Sequence, residues 1–279
     1  MGWLTSMATS LGRSLGPSGV NSALIVRLFG GVRASWCGRE IVLEGRPSAA
    51  LLALLVFRPR AWTREEIAAE IWPEAGYGSS GRVRQALWLL RRGLIGAGAE
   101  PAAILAVDED TIAFRPDVAA DVDVARFEDL LCRRPPDVEG AIRLYRGDLA
   151  EGLGLECFGV RREFLASLFE NALADAARAR LTSGDVDGAR RAAVQLLERD
   201  PLREDGHAVL MEVLGILGSR SQVHRQYTRL RRLLALELGA APLAETDAAY
   251  VKALAGATSR SSAPVAVPPM AATAVEARA

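Results

Sequence analysis

Residues 63–94, TREEIAAEIWPEAGYGSSGRVRQALWLLRRGL, decide the fold of the N-terminal part of the chain. Thr63 is followed three residues later by Glu66, and this pair is a capping box in which each side chain satisfies a free backbone amide. A helix is therefore predicted to begin here. Pro73 ends it, because proline has no amide hydrogen to donate to a further turn.

The second half of the stretch predicts another helix, over residues 82–94, after a Gly/Ser-rich loop at 76–81. Apolar residues at helical spacing form a stripe that should face the core: Val83, Leu87, Leu90 and Leu94. Residues 75–99 carry four arginines and no acid, in a chain whose 34 basic and 34 acidic side chains balance. A basic stripe of this kind is typical of nucleic-acid binding.

The flanking segments predict strands and one more helix. An antiparallel pair at 24–34 and 39–44 comes first, and a buried helix at 47–57 follows it. After the stretch, residues 102–107 and 111–114 predict a β-hairpin with acidic turn residues. Strands, three helices and a terminal hairpin are the elements of a winged helix-turn-helix.

From about residue 120 the sequence is almost entirely helical, and it contains an internal repeat. Gly184 and Gly218 lie 34 residues apart, which is the tetratricopeptide period, and Pro201 falls at the expected boundary between units. Apolar residues follow each glycine after five, nine and twelve positions: Ala189 and Val223, Ala193 and Tyr227, Leu196 and Leu230. Stacked helix pairs are therefore predicted.

The predicted fold class is mainly α, with an N-terminal winged helix-turn-helix (α+β) followed by an all-α tetratricopeptide-like domain. Both ends read as disordered tails, because they lack an amphipathic period. The predicted division of the chain is a tail at 1–22, a winged-helix DNA-binding domain at 23–118, a helical domain at 119–256 and a tail at 257–279.

The helix at 82–94 is predicted to recognise double-stranded DNA in the major groove. Arginine can donate two hydrogen bonds to guanine and glutamine can pair with adenine, so Arg84, Gln85 and Arg91 are the predicted base contacts. Arg82 and Arg92 are expected to meet phosphates, which position the helix without reading sequence. For any one of these arginines, an ordinary solvated surface charge is the alternative.

Three further residues are predicted to take part in DNA binding. Thr63 and Arg64 open the preceding helix, whose N-terminal amides could meet a phosphate. Trp88 lies among the arginines and is expected to pack on a sugar or on a neighbouring protomer. No metal site or cofactor is expected, since the three cysteines lie far apart and only two histidines occur.

Some residues are expected to have no special role. The cysteines read as reduced, partly buried thiols of a cytosolic protein. His207 and His224 read as surface residues. Three arginine pairs look exposed on solvated helix faces: Arg161-Arg162, Arg190-Arg191 and Arg231-Arg232.

Many ordered motifs resemble one known family. They are LIVRLFGGVRA, LLALLVFRPRAWTREEIAAEIWPE, VRQALWLLRRGL, AVDEDTIAF, DVDVARFEDLL, LYRGDLAEGL, the run LTSGDVDGARRAAVQLLERDPLREDGHAVLMEVL and QYTRLRRLLALELGAAPLAET. Together they cover residues 24 to about 254. The sequence resembles the antibiotic-regulatory type of bacterial transcriptional activator, in which a response-regulator-like winged helix precedes a helical bacterial transcriptional activator domain.

The resemblance implies an activator that binds promoter DNA, with a helical domain that mediates dimerisation or contact with the transcription machinery; the expected partners are a second copy, as a homodimer on DNA, and RNA polymerase. No apolar run is long enough to cross a membrane, so a cytoplasmic protein without membrane association is expected. A signalling adaptor that has lost DNA binding is the alternative. The Trp88-Leu89 pair and the acidic wing tip, Asp108–Asp110, favour it, since both depart from the family pattern. An enzyme is not expected, because the sequence contains no Walker loop, no G-x-S-x-G and no H-E-x-x-H.

Overall fold

The computed structural model describes residues 23–75 and 80–261. Contacts divide the chain into two compact units, Met1–Ala172 and Leu173–Ala279. The boundary predicted between residues 118 and 119 lies inside the first unit. The predicted N-terminal tail, most of the Gly/Ser-rich loop and residues 262–279 lie outside the described residues.

Short strands form two sheets in the described part of the first unit. Their bounds are β1 Leu24–Arg27, β2 Arg33–Trp36, β3 Arg39–Glu40, β4 Trp62–Thr63, β5 Leu105–Val107, β6 Thr111–Phe114 and β7 Ala120–Val122. One sheet has the order β3-β2-β1-β7, with β1 and β7 parallel, and the other has the order β4-β6-β5 and is antiparallel. The second sheet contains the predicted hairpin.

The helices of the first unit are α1 Gly45–Phe57, α2 Arg64–Ile71, α3 Ser80–Gly96, α4 Pro101–Ile104, α5 Asp123–Cys132 and α6 Val138–Leu144, and α7 Gly159–Ser183 continues into the second unit. Helices α1, α2 and α3 pack against one another, and α5 packs against α6. Seven consecutive residues of α1, Ala50 to Val56, are buried, because α1 is covered on several sides. The predicted strands, three helices and hairpin occur in the predicted order, with the short strand β4 and the short helix α4 as additional elements between them.

Three predicted strands of the first unit are wrong in part. The strand predicted over 24–34 is divided into β1 and β2, which pair with each other, because Gly30 and Gly31 have positive φ and form a turn between them. Residues 102–104 lie in α4, because Pro101 opens a helical turn and the Glu100 carboxylate accepts a hydrogen bond from the Ala102 amide. The strand predicted over 39–44 pairs only at Arg39–Glu40. The Ile41 side chain beyond it is buried, and its amide still donates to the Ala34 carbonyl of β2 at 2.9 Å, so the pairing ends at Ile41.

Asp123 joins the residues that follow β1 to a segment much later in the chain. Its carboxylate is 2% exposed and accepts hydrogen bonds from the amides of Leu28, at 2.8 Å, and Phe29, at 3.1 Å. Burial raises the pKa of Asp123, against the opposing effect of these hydrogen bonds. The end of β1 is thus held by the first residue of α5.

The described part of the second unit is helical. It contains the end of α7, then α8 Val186–Arg199, α9 Glu204–Ile216, α10 Arg220–Glu237 and α11 Ala244–Ser261. Gly184 and Gly218 both have positive φ, 87° and 74°, and each ends a helix where a Cβ would be strained. Five residues later, Ala189 and Val223 are both fully buried, so the two repeat units place equivalent residues in the core.

Several expectations for single residues and tails need correction. His207 is 2% exposed and not on the surface. Its ring lies inside the helical unit, where one nitrogen contacts the Pro201 carbonyl and the other contacts the Gln226 side chain. The predicted C-terminal tail is helical as far as Ser261, since Ala253 and Ala257 continue the buried face of α11. Cys37 and Cys132 are exposed and only Cys157 is partly buried.

The arginine pairs also differ from one another. Arg190-Arg191 and Arg231-Arg232 are exposed as expected. Arg161 and Arg162 are only partly exposed: Arg161 forms an ion pair with Glu128, and Arg162 donates to the Leu149 carbonyl.

The predicted fold class is confirmed: the chain is mainly α, with a small sheet-containing N-terminal region followed by a helical region. No helix within residues 23–75 and 80–261 is long and apolar enough to cross a membrane.

Candidate nucleic-acid interface

Helix α3 has one buried face, and that face fixes its rotation. Val83, Leu87, Leu90 and Leu94 are at most 4% exposed, and Ala86 between them is fully buried. The helices that contact α3 are α1, α2 and the short α4. With about 100° of rotation per residue, the opposite face must then point away from the core.

That opposite face carries the predicted site. All six side chains predicted to bind DNA from α3 are exposed: Arg82, Arg84, Gln85, Trp88, Arg91 and Arg92. No acid occurs between Ser80 and Gly96. Among the described residues, Arg82, Arg84 and Arg91 form no ion pair, so their charge is available to an external anion.

Arg92 differs from the other arginines because it has partners within the chain. Its Nη2 lies 3.6 Å from the Glu44 carboxylate, and its guanidinium lies 5.4 Å from the centre of the Trp88 ring. Both Arg92 and Glu44 are about half exposed, so the ion pair is weak and can exchange for a phosphate. Glu44 precedes Arg92 by 48 positions, which is too far for spacing along the chain to indicate this pair.

Gly93 lets α3 approach the preceding segment closely. A Cβ at this position would lie 2.4 Å from the Val42 carbonyl oxygen and 3.3 Å from Ile41 Cγ2. Only a residue without a side chain fits such an approach. This contact therefore sets the distance between α3 and residues 41–42. The periodicity of the sequence did not indicate it.

The predicted capping box of α2 is present in full. The Thr63 hydroxyl accepts from the Glu66 amide at 3.1 Å, and the Glu66 carboxylate accepts from the Thr63 amide at 2.8 Å. Arg60 donates to the same carboxylate and, with the Thr63 amide, holds the pKa of Glu66 below its usual value. The Thr63 hydroxyl is thus engaged within the chain.

Arg64 joins α2 to the turn between β5 and β6. Its Nε donates to the Glu109 carbonyl at 2.9 Å, and its Nη2 donates to the Asp108 carbonyl at 3.1 Å. Its amide also meets the Asp110 carbonyl at 3.2 Å. Arg64 therefore positions the hairpin, and its Nη1 is buried without a hydrogen-bond partner.

The acidic hairpin turn is organised by its first residue. The Asp108 carboxylate accepts from the amides of Asp110 and Thr111 and from the Thr111 hydroxyl. These hydrogen bonds, led by the Thr111 amide, lower the pKa of Asp108. Asp108 is thus used to close the turn, which leaves Glu109 and Asp110 as its outward acids.

The structure brings together the six predicted residues of α3 and places Thr63 and Arg64 in hydrogen bonds of the chain itself. No cluster of three or more possible metal ligands occurs within the described residues. The chemistry that the α3 surface offers is the binding of anions and of hydrogen-bond acceptors.

A sheet-containing region with an exposed basic helix, followed by helical repeats, is the organisation of a transcriptional regulator. The family model of the bacterial transcriptional activator domain matches residues 110–254, just over half of the chain. The chain belongs to this family.

One solved structure similar to this chain is Mycobacterium tuberculosis EmbR in complex with a low affinity phosphopeptide. The TM-score is 0.66 and the sequence identity is 21%, over 85% of this chain and 68% of that one. At this identity the likeness shows the fold alone. No curated protein matches the sequence.

Proposed function

We propose that the chain is a sequence-specific DNA-binding regulator that activates transcription in the cytoplasm and has no catalytic activity or cofactor of its own. In this function the N-terminal region is a winged helix, α3 is its recognition helix and the β5–β6 hairpin is its wing. The partner is double-stranded promoter DNA. The exposed, acid-free arginine face of α3 is the observation that carries this function.

The position of each side chain on α3 supports a division of roles. Arg84 and Arg91 are seven residues apart and lie on one line along the helix, where both can reach base edges. Gln85 lies about 100° around the helix from Arg84, on one line with Arg92, and can pair with adenine. Arg82 and Arg92 lie off the line of Arg84 and Arg91 and are suited to phosphates on the groove walls.

Trp88 and the residues around the hairpin complete the interface. Trp88 is 57% exposed and offers an apolar surface to a sugar or to a neighbouring protomer. Thr63 and Arg64 act mainly by positioning, since one caps α2 and the other holds the hairpin turn. Any direct contact of theirs with phosphate would come from the start of α2.

The helical region is proposed to mediate dimerisation on DNA and contact with RNA polymerase. Stacked helix pairs present extended surfaces to other proteins, and the family match covers all of these helices except the end of α11. A signalling adaptor without DNA binding is the rival function. The open, basic surface of α3 favours DNA over this rival.

The decisive experiment selects binding sites from a random duplex pool with the full chain and then measures affinity by gel shift. The variant R84A/R91A should lose at least about 30-fold in affinity for the selected sites, because each bidentate contact contributes about 1–3 kcal/mol. The variant R190A/R191A removes two exposed arginines of α8, of which Arg190 forms a weak ion pair with Asp187, and should bind as the parent does. If no sequence is enriched, or if R84A/R91A binds the selected sites normally, the recognition role of α3 is wrong.

A further inference from the structure

Helix α10 is a second acid-poor basic helix, and it lies in the other compact unit. It carries five arginines against a single acid, Glu237, which lies at its end. The arginines are Arg220, Arg225, Arg229, Arg231 and Arg232, and every one is exposed. This is one arginine more than α3 carries.

The rotation of α10 is fixed by its contacts with its neighbours. Val223, Leu230 and Leu234 are at most 2% exposed. The Tyr227 ring stacks on Tyr250 of α11, with centroids 4.1 Å apart and 9° between the planes. These contacts therefore determine which side of α10 faces away from the neighbouring helices.

Three of the arginines form a row on the side away from these contacts. Arg225, Arg229 and Arg232 are spaced four and three residues apart, so they occupy one face over two turns. The rise of 1.5 Å per residue gives a length of about 10 Å from the first to the last. A duplex strand carries one phosphate per 3.4 Å of axis, so about three phosphates span this length.

The charge of this row is not neutralised by the acids packed nearby. Among the described residues, no ion pair joins any α10 arginine to an acid. The three acids of α9 have other partners: Glu204 accepts from the Leu243 amide, Asp205 pairs with Arg203, and Glu212 pairs with Arg178 and Lys252. Asp247 of α11 accepts from the Tyr227 hydroxyl at 2.6 Å.

The residues between the arginines show which kind of anion fits. Ser221, Gln222, His224 and Thr228 are exposed and polar, and no exposed aliphatic or aromatic side chain interrupts the row before Arg232. Protein interfaces need apolar or aromatic anchors at their centre, and the row from Arg225 to Arg232 has none; the exposed Leu236 lies one turn beyond its end, on the same face. Arginine, serine, threonine and glutamine are all common donors to phosphate oxygens.

We propose that the face of α10 formed by Arg225, Arg229 and Arg232 binds the phosphate backbone of duplex DNA without reading its sequence. This surface would be a second DNA contact besides α3. The inference rests on the proposed function only in that its partner is duplex DNA. It makes the helical unit a DNA-contacting unit as well as a protein-contacting one. The α10 surface increases the affinity for DNA and its dependence on salt, while α3 determines the sequence preference.

The test measures the salt dependence of binding with the full chain, between about 50 and 200 mM salt. The probes are a duplex selected from a random pool and a scrambled duplex of the same length. The variant R225Q/R232Q should lower the slope of log K against log salt by about 2 on both duplexes, because each lost phosphate contact removes about 0.9. The ratio of the two affinities should not change.

The control variant R190Q/R191Q removes the same charge from α8 and should leave the slope unchanged. An equal loss of slope in the control would make the effect one of net charge and overturn the proposal. An unchanged slope in R225Q/R232Q would also overturn the proposal. If this variant kept its slope and yet activated transcription less, the partner of the α10 surface would be a protein and not DNA.

The same measurements separate this inference from the function proposed for α3. If R84A/R91A loses sequence preference while R225Q/R232Q keeps its slope, only the α10 surface is wrong. If R225Q/R232Q loses slope while the parent shows no preference between the duplexes, the α10 surface stands and sequence recognition by α3 is wrong.

Discussion

The buried His207 side chain is hydrogen-bonded at both ring nitrogens, and we expect it to make the stability of the helical unit depend on pH. His207 Nε2 lies 3.0 Å from the Pro201 carbonyl, so Nε2 carries the proton, and Nδ1 accepts from the Gln226 amide group at 2.7 Å. Both nitrogens are satisfied in the neutral ring. Burial lowers the pKa of His207, and nearby Arg229 lowers it further, while the Pro201 carbonyl, Glu204 and Asp205 oppose the change.

The expected result is a loss of stability on mild acidification. The unfolded chain has a histidine pKa near 6.5 and therefore binds the proton first, so the free energy of unfolding is highest above that pH. It should fall as the pH drops below about 6.5 and level off below the folded pKa. Denaturant unfolding at a series of pH values measures this slope.

Substitution of each histidine assigns the slope to its source. H207Q removes the titrating ring, so the dependence on pH in this window should flatten, whatever the absolute stability of the variant. H224Q changes the exposed histidine that contacts Tyr250 and should keep the parental slope. A parental slope in H207Q would show that other groups cause the acid sensitivity.

At the scale of a single element, the seating of α3 depends on Gly93. Alanine at this position would place its Cβ 2.4 Å from the Val42 carbonyl oxygen, and a backbone carbonyl cannot move aside as a flexible side chain can. G93A should therefore destabilise the N-terminal unit by about 1–3 kcal/mol. Thermal unfolding of the full chain measures the loss.

Gly96 provides the matched control on the same helix. Nothing lies within 4 Å of the Cβ that alanine would add there. G96A should be neutral or stabilising by up to about 1 kcal/mol, because alanine favours the helix over glycine. Equal destabilisation by both variants would contradict this explanation, because alanine at position 96 meets no neighbouring atom and favours the helix.

The elements that the sequence predicts well are those determined by near neighbours. The capping box at Thr63 and the apolar stripe of α3 involve residues within a few turns, so their spacing alone predicts them. The helix at Pro101 was missed because its apolar residues are too few to show a period. Strand β7 and the Glu44–Arg92 pair were missed because their partners lie far away in sequence.

At the scale of the whole N-terminal unit, the first strand depends on residues beyond the predicted winged-helix boundary at 118. Strand β7 pairs with β1 in parallel, with Leu24 opposite Ala120 and Val26 opposite Val122. Asp123 then accepts from the amides that follow β1. A fragment that ends at 118 lacks both connections, so its β1 would lose a sheet partner and two charged hydrogen bonds.

Removal of the Asp123 carboxylate should therefore destabilise the unit although the site lies outside α3. D123A leaves the amides of Leu28 and Phe29 buried without an acceptor, and each hydrogen bond to a charged group contributes about 1.5–3 kcal/mol. D123N keeps one acceptor oxygen and should lose less, and D117A at an exposed position should lose almost nothing. Hydrogen exchange should show faster opening of residues 24–29 in D123A. Parental protection there would mean that β7 pairing alone holds the first strand, because the backbone ladder between β1 and β7 does not involve the carboxylate.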